Sequence, residues 1–281
     1  MKFSKLHGIG NDYIYVNCFK EKVDNPEQVS IFVSDRRKGI GGDGLILISP
    51  SDIADCRMNI FNADGSEAMM CGNGVRCVAK YAYDFGIVNS DTLTVETRSG
   101  IKKIKLTIKD GKATNALVDM GKAIITPKEI PMNSDKESYI NEPLMVNGEE
   151  YKVTCVSMGN PHCIVFVDDV MGLDLEKIGP HFENHEIFPE RVNTEFIRVI
   201  DENTLEMRVW ERGSGETFAC GTGACASVVA AILNGYCKKD TPVTVKLLGG
   251  DLTNTWLSDG TVMMDGSATH VFDGEITLPE F

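Results

Sequence analysis

The stretch Cys71-Gly72-Asn73-Gly74 recurs in the chain as Cys220-Gly221-Thr222-Gly223, and these two copies decide how the rest of the sequence is interpreted. The copies stand 149 positions apart, from residue 71 to residue 220. Each copy runs directly into a helix-like segment, residues 75–85 and 224–234, and each segment ends at a glycine. The motif, the helix-like segment and the glycine that ends it all recur at the same spacing, which predicts that the chain arose by internal duplication.

Further matches lie at the same offset on both sides of the cysteines. They are Gly10-Asn11 with Gly159-Asn160, Met58-x-Ile60-Phe61 with Met207-x-Val209-Trp210, Glu67 with Glu216, and Gly100 with Gly249. The length of the repeat is that of an ordinary domain, so the sequence predicts two domains. Because duplicated units commonly pack as equivalent partners, we expect the two domains to be pseudo-symmetric.

Short alternating apolar segments dominate both halves and predict strands. Those of the first half span 12–17, 45–48, 57–61, 93–97 and 103–108, and those of the second span 153–156, 163–167, 195–199, 205–210, 243–247 and 261–264. Weaker helical patterns cover 26–36 and 174–184. The expected fold is therefore α+β, with a mostly antiparallel sheet wrapped around a central helix in each domain.

The repeat also predicts where the domains begin and end. We expect an N-terminal domain over residues 1–122 and a C-terminal domain over residues 123–267. A strand-like piece at 269–277 lies beyond the second repeat, so residues 268–281 are expected to complete the N-terminal domain. The polar stretch 127–149, which contains three prolines, is expected to be an interdomain excursion.

Composition and charge exclude several classes of protein. The chain has 41 acidic and 28 basic residues, and its net charge of −13 opposes binding to nucleic acid and to anionic membrane surfaces. No apolar run approaches the roughly 18 residues that span a bilayer, and the N-terminus lacks the apolar centre of a signal peptide. The nine cysteines are odd in number and never spaced Cys-x-x-Cys. These features predict a cytoplasmic protein with reduced thiols.

Two patterns resemble cofactor or metal motifs without the context that such sites need. Gly39-Ile-Gly41-Gly-Asp-Gly44 satisfies G-x-G-x-x-G, but a dinucleotide site follows a strand and opens a helix, whereas here a strand follows. His181 and His185 could lie one helical turn apart, yet no third ligand is near in sequence. The sequence therefore predicts neither a cofactor nor a metal.

The two cysteine motifs have the features of acid–base sites. A thiol at a helix start lies where unsatisfied backbone N–H groups and the helix dipole stabilise negative charge, which favours the thiolate. The adjacent glycines let a carboxylate approach the same N–H groups. If Cys71 and Cys220 faced one α-carbon, one thiolate could remove its proton while the other thiol delivered a proton to the opposite face. Open alternatives are a structural disulfide and a non-catalytic, redox-switched binding protein.

With these motifs the sequence resembles the diaminopimelate epimerase family, enzymes that act without pyridoxal phosphate. The resemblance covers nearly the whole chain and also rests on these segments: Gly8-Ile-Gly-Asn11-Asp, Phe61-Asn62-Ala-Asp-Gly-Ser-Glu67, Gly159-Asn160-Pro-His162, Glu190-Arg-Val-Asn193 and Glu211-Arg212-Gly. It implies epimerisation of LL- and meso-diaminopimelate in lysine and peptidoglycan precursor biosynthesis. It also implies a homodimer that binds a small amino-acid substrate.

The resemblance implies a role for each matching residue. Cys71 and Cys220 are implied as the catalytic pair. The implied substrate-binding residues are Asn11, Asn62, Gly72, Asn73, Asn160, Asn193, Glu211, Arg212, Gly221 and Thr222. Among them Asn73, Gly221 and Thr222 would hold the α-carboxylate, and Arg212 is suited to pair in a bidentate way with the distal carboxylate.

One position departs from the family pattern, and a related activity stays open. Gly44 is the offset partner of Asn193, that is, the residue 149 positions earlier at the equivalent place in the first repeat. Some members of the family carry a glutamine there that contacts substrate. A racemase of another amino acid, such as proline or histidine, remains an alternative on the same fold. A cysteine hydrolase is less favoured, because its chemistry would leave the second cysteine without a role.

Overall fold

Each of the two units is built around a 13-residue helix that begins directly after Cys71 or Cys220. The computed structural model describes residues 1–281. Its N-terminal unit comprises Met1–Asp119 with Asp265–Phe281, and its C-terminal unit comprises Met120–Met264. Each boundary lies three residues before the predicted one, because both crossings fall inside strands, at Lys112–Lys122 and Thr261–Ser267, and not in polar linkers.

The N-terminal unit holds two helices among a set of mostly antiparallel strands. Its elements are β1 (Lys2–Gly8), β2 (Asn11–Asn17), α1 (Pro26–Ser34), β3 (Gly44–Ser49), β4 (Cys56–Asn62), β5 (Glu67–Ala68), α2 (Gly72–Asp84), β6 (Thr92–Thr97), β7 (Gly100–Lys109) and β8 (Lys112–Lys122). The parallel pairs are β2 with β3 and β4 with β6. The C-terminal strand β18 (Thr269–Glu275) pairs antiparallel with β1, as the strand-like piece beyond the second repeat predicted.

The C-terminal unit has the same kind of architecture. It begins with a 3-10 helix (Pro127–Glu129), followed by β9 (Glu142–Val146), β10 (Glu149–Ser157), β11 (Pro161–Phe166), α3 (Leu175–Glu183), β12 (Asn193–Asp201), β13 (Thr204–Glu211), β14 (Gly215–Thr217), α4 (Gly221–Leu233), β15 (Val243–Leu247), β16 (Gly250–Trp256) and β17 (Thr261–Ser267). Here the parallel pairs are β11 with β12 and β13 with β15.

The elements repeat at the offset found in the sequence. Both ends of α3 lie 149 residues after those of α1, and both ends of α4 lie 149 residues after those of α2. The parallel pairs of one unit also recur in the other: the register of β2 with β3 repeats in β11 with β12 at the same offset, and that of β4 with β6 repeats in β13 with β15 with a shift of one residue. The predicted α+β fold of two internally repeated, sheet-rich units is therefore confirmed.

The central helices are buried because their composition suits an interior position. Nearly every residue of α4 is buried, and the helix carries no charged side chain. In α2 the buried positions include Arg76, whose guanidinium donates hydrogen bonds to Gly72, Asn73 and Ser267, and Lys80, whose Nζ lies 2.8 Å from the Asp84 carboxylate. No helix combines the length and the apolar character that a membrane-spanning segment requires.

The prediction that residues 127–149 form an interdomain excursion is wrong. Ile130, Met132, Tyr139, Leu144 and Val146 from this stretch are buried in the hydrophobic core of the C-terminal unit. Polar residues and prolines between these apolar positions conceal their spacing. Strands β1, β5, β8, β9, β14 and β16 were also not predicted.

Candidate active site

Cys71 occupies the N-cap position of α2, with extended backbone angles of φ −135° and ψ 118°. Its sulfur accepts a hydrogen bond from the Gly74 N–H at 3.3 Å. A side chain at residue 74 is disfavoured, because a Cβ there would lie 2.8 Å from Ile46 Cδ1. The glycine-rich motif therefore lets the first turn approach strand β3 while its amide groups face the thiol.

Asn11 and Tyr13 of β2 surround the Cys71 thiol. The thiol donates to Asn11 Oδ1 at 3.3 Å, and Asn11 Nδ2 donates to Asp43 Oδ2 at 2.7 Å. The Tyr13 phenol lies near enough to Asn11 and Cys71 for both side chains to affect its pKa. Burial, Cys71 and Asp43 raise the pKa of Tyr13 well above its usual value, so this hydroxyl keeps its proton.

Asn73 is 3% exposed and its side chain is held by Arg76. Arg76 Nη2 donates to Asn73 Oδ1 at 3.0 Å, and Nη1 donates to the carbonyl of Gly72 at 3.2 Å. Sequence reasoning missed Arg76, whose offset partner is Cys225 and which therefore gave no repeat signal. This fully buried guanidinium fixes the loop that carries Gly72 and Asn73.

Asn62 ends β4, and its side chain is engaged within the turn that follows the strand. Its amide Nδ2 donates to Ser66 Oγ at 3.0 Å. Gly44 pairs with Asn62 in the register of β3 and β4. A Cβ at Gly44 would lie 2.1 Å from the Phe61 carbonyl oxygen, so the backbone here leaves no room for a glutamine.

Cys220 occupies the N-cap position of α4 and is 5% exposed. Its sulfur accepts a hydrogen bond from the Gly223 N–H at 3.4 Å and lies 3.6 Å from Thr222 Oγ1. Burial raises the pKa of Cys220 well above its usual value, the carboxylates of Glu211 and Glu195 add to this, and Thr222 and Gly223 oppose it. At Cys220, desolvation and the two carboxylates therefore act against the stabilisation of the thiolate that the helix start provides.

Glu211 ends β13, and its carboxylate acts electrostatically on Cys220. Thr217 Oγ1 donates to Glu211 Oε1. Burial raises the pKa of Glu211, while the hydrogen bond from Thr217 and the nearby Cys220 thiol lower it. The structure thus joins two residues that the sequence predicted for the site, and it places a proton acceptor beside the thiol.

Asn160 and Thr222 are also joined, and His162 extends the same network. Asn160 Nδ2 lies 3.3 Å from Thr222 Oγ1, and Asn160 Oδ1 lies 3.1 Å from His162 Nε2. His162 is fully buried, and its Nδ1 lies 2.7 Å from Glu195 Oε1. The sequence did not lead us to place His162 or Glu195 in the site. Glu195 could have been noticed, because a carboxylate at the start of an apolar strand segment indicates a buried charge with a specific role.

Asn193 and Arg212, which were each predicted for the site, also contact each other. Asn193 Oδ1 accepts from the backbone N–H of Arg212 at 2.8 Å. Arg212 Nη1 donates to the carbonyl of Glu190 at 2.8 Å, and its guanidinium makes no ion pair with an acidic side chain. Glu211 accepts a hydrogen bond from Thr217, so Glu211 and Arg212 are not the surface ion pair that adjacent opposite charges often form.

Solved structures share the fold of the chain at low sequence identity. A probable proline racemase from Agrobacterium radiobacter matches with a TM-score of 0.72 and 14% identity, over 99% of this chain and 93% of that chain. A hydroxyproline epimerase from Agrobacterium vitis matches with a TM-score of 0.69 and 14% identity, over 98% of this chain and 90% of that chain. At such identity the likeness establishes the fold alone.

Sequence comparison identifies closer relatives. The family model described as Diaminopimelate epimerase matches residues 3–126 and 154–271. The diaminopimelate epimerase of Acetivibrio thermocellus is 57% identical over 281 residues, which is 100% of both chains. That of Methanococcus maripaludis is 54% identical over 99% of this chain and 100% of the relative. The chain therefore belongs to the diaminopimelate epimerase family.

Proposed function

We propose that this protein is an isomerase that interconverts LL- and meso-diaminopimelate by proton transfer between thiols and the α-carbon, without a cofactor. The observation that carries the proposal is that Cys71 and Cys220 both cap equivalent helices in a chain of this family. Each sulfur lies against the backbone amide of a glycine three residues later. Two equivalent thiol sites suit an inversion that needs one acid and one base.

The reaction balances with the two thiols alone. One sulfur, as thiolate, takes the α-proton and becomes a thiol, and the electron pair of the C–H bond passes to the α-carbon and the carboxylate. The other thiol then gives its proton to the opposite face and becomes the thiolate. In the direction in which Cys220 is the acid, its raised pKa keeps the required proton on the sulfur. Positioned groups of this kind each contribute about 10² to 10⁴ in rate.

The carboxylate next to the reacting carbon acquires negative charge during the reaction. The first-turn amides of α2 and α4, at Gly72, Asn73, Gly221 and Thr222, are the proposed donors to it. Helix N-termini stabilise anions because their first N–H groups have no partner within the helix. Donors fixed before the reaction stabilise the developing charge without further reorganisation.

The other polar residues are proposed to recognise the second amino-acid end of the substrate. Arg212 would bind the distal carboxylate, since its guanidinium has no acidic partner and offers two parallel N–H donors. Asn11, Asn62, Asn160, Asn193 and Glu211 would bind the amino groups and complete the pocket. A substrate without a distal amino-acid end would leave these polar groups unpaired, which disfavours proline.

The remaining features of the proposal concern the cellular setting. The reaction belongs to lysine and peptidoglycan precursor biosynthesis and is placed in the cytoplasm, where both thiols stay reduced. None of the nine cysteines forms a disulfide. The protein is proposed to act as a homodimer on a small molecule, with neither nucleic acid nor membrane as a partner. Light scattering after gel filtration, with twice the chain mass expected, tests the oligomer.

A substrate panel tests the proposed function. The purified protein in reductant is incubated separately with LL-diaminopimelate, meso-diaminopimelate, L-proline and L-histidine, and the stereoisomers formed are separated by chiral chromatography. We expect interconversion of the two diaminopimelate isomers and no turnover of the others. Faster turnover of proline or histidine would replace the substrate assignment, and no turnover of any of them would refute the enzymatic function.

A further inference from the structure

Glu195 is a buried carboxylate to which the proposed mechanism gives no role. It lies on β12 with 0% exposure, and its Oε1 is 2.7 Å from His162 Nδ1. Its Oε2 is buried and accepts no hydrogen bond. Glu195 also lies directly against the start of α4, since a Cβ at Gly223 would be 2.4 Å from Oε1. A buried carboxylate with one oxygen lacking a hydrogen bond destabilises the folded protein, so its presence is best explained by a functional role.

The N-terminal unit shows that the fold does not require a carboxylate at this point. The offset partner of Glu195 is Ile46, which is also fully buried and occupies the same position on β3. The Cδ1 atom of Ile46 packs against Gly74, as Glu195 Oε1 packs against Gly223. An aliphatic side chain therefore fills this space beside Cys71, and only the Cys220 site carries an acid there.

Hydrogen bonds connect Glu195 to the Cys220 sulfur through three other side chains. From Glu195 the chain of contacts passes to His162 at 2.7 Å, to Asn160 at 3.1 Å, to Thr222 at 3.3 Å and to Cys220 at 3.6 Å. Asn160 donates from Nδ2 to the Thr222 hydroxyl oxygen. Its Oδ1, which can only accept, then requires a proton on His162 Nε2.

The same geometry fixes how many protons the His162–Glu195 pair holds. One proton lies on Nε2 and points to Asn160. A second proton lies between Nδ1 and Oε1, because an imidazole lone pair and a carboxylate lone pair would otherwise face each other at 2.7 Å. Whichever atom holds the second proton, the pair has no net charge. Cys163 on β11, Glu211 on β13 and Cys220 on α4 are the other ionisable groups that act on Glu195 or are affected by it.

We propose that Glu195 is a positioning residue for the Cys220 half of the reaction, holding His162 in the Nε2-protonated form so that the Thr222 hydroxyl points at the Cys220 sulfur. Since Thr222 accepts from Asn160, its own proton is available to the sulfur. There it stabilises the thiolate whenever Cys220 acts as the base. This inference rests on the proposed epimerase activity, but the state of the His162 ring can be measured without it.

Two substitutions at residue 195 separate this role from simple space filling. In Glu195→Gln the amide can donate to Nδ1 and keep the proton on Nε2, so we expect kcat within a few-fold of wild type. In Glu195→Ile, which copies the residue of the first repeat, Nδ1 loses its partner. We expect kcat to fall about 10- to 100-fold with little change in KM, the loss typical of one charge-assisted hydrogen bond. Ile46→Val is the matched core control and should retain kcat.

Nitrogen-15 NMR of the histidine rings gives the readout independent of activity. His162 is assigned by the signal lost in His162→Gln, and wild type and Glu195→Gln should both show a proton on Nε2. The proposal is overturned if wild-type Nε2 carries no proton, if Glu195→Ile keeps full kcat, or if Glu195→Gln loses as much as Glu195→Ile. If Glu195→Ile does not fold, the wild-type spectrum and the kcat of Glu195→Gln still test the proposal. Absence of epimerase activity in the wild type would refute the function without altering this spectrum.

Discussion

Cys71 and Cys220 begin equivalent helices, but their surroundings differ in charge. Around Cys71 the groups include the amide of Asn11, which itself donates to the Asp43 carboxylate, and the phenol of Tyr13. Around Cys220 they are Glu211, Thr222 and the network that ends at Glu195. The duplicated backbone therefore gives each thiol the same amide donors, and the side chains from neighbouring strands make the two thiols chemically unequal.

This difference suits a reaction in which the two thiols exchange roles. A thiol beside carboxylates holds its proton more firmly, because the carboxylates disfavour the thiolate. The inequality of the two sites is thus built from three pairs of equivalent positions that carry different residues: Tyr13 with His162, Ile46 with Glu195, and Asn62 with Glu211.

The largest effect is expected when either thiol is removed, and this experiment tests whether both units are needed for activity. Cys71→Ser and Cys220→Ser should each lower kcat by about 10² to 10⁴, because a hydroxyl does not ionise at neutral pH as a thiol can. Steady-state assays of both reaction directions measure the loss. Cys77→Ser, a buried cysteine of α2 without an assigned role, is the control for thiol removal. Full activity in either active-site variant would show that one unit suffices.

The next effect tests a residue that only the C-terminal unit possesses. Arg212→Lys should reduce kcat/KM by about 10- to 100-fold, since lysine cannot pair with a carboxylate in a bidentate way and a charged hydrogen bond is lost. We expect most of the loss in KM. Arg57→Lys, at an exposed ion pair with Glu96, is the control and should leave the kinetics unchanged. Equal losses in both variants would contradict the role of Arg212.

A smaller effect tests the carboxylate beside Cys220. Glu211 raises the pKa of Cys220, so Glu211→Gln should lower that pKa and increase the thiolate fraction at neutral pH. Alkylation of Cys220 by iodoacetamide, followed by peptide mass spectrometry from pH 6 to 10, should become several-fold faster near pH 8. Cys71 in the same sample is the internal control. A slower reaction at Cys220, or an equal change at Cys71, would contradict the assignment.

The smallest expected effect compares the ion pairs made by a glutamate that both repeats contain, each with an arginine at a different position. Glu216 binds Arg208 through both oxygens, at 2.7 and 2.9 Å, in a partly buried position. Its offset partner Glu67 makes a single 2.9 Å contact with the exposed Arg98. Glu216→Gln should lower the free energy of unfolding by about 1 to 2 kcal/mol and Glu67→Gln by about 0 to 1 kcal/mol. Urea denaturation measures both, and the reverse order would show that burial and bidentate geometry do not set the strength of these two ion pairs.

The sequence predicted the repeat, the central helices and the cysteine positions, because these depend on local signals with a fixed spacing. Glycines at a helix start, an apolar helix and a glycine stop are visible without tertiary structure. The prediction was wrong for residues 127–149, where polar residues conceal five buried apolar side chains. His162 and Glu195 were missed because their roles depend on each other across neighbouring strands, and Arg76 was missed because the equivalent position of the second repeat is a cysteine.

The central claim is that two different thiols serve opposite faces of one α-carbon, and early-time isotope exchange tests it most directly. LL-diaminopimelate is converted in D₂O to less than a tenth of equilibrium, and both isomers are recovered and analysed by mass spectrometry. Because the acid that reprotonates the carbanion has exchanged with solvent, the meso product should carry one α-deuterium while the remaining substrate keeps its α-proton. Equal deuterium in recovered substrate and product would mean that one group serves both faces, and would contradict the claim.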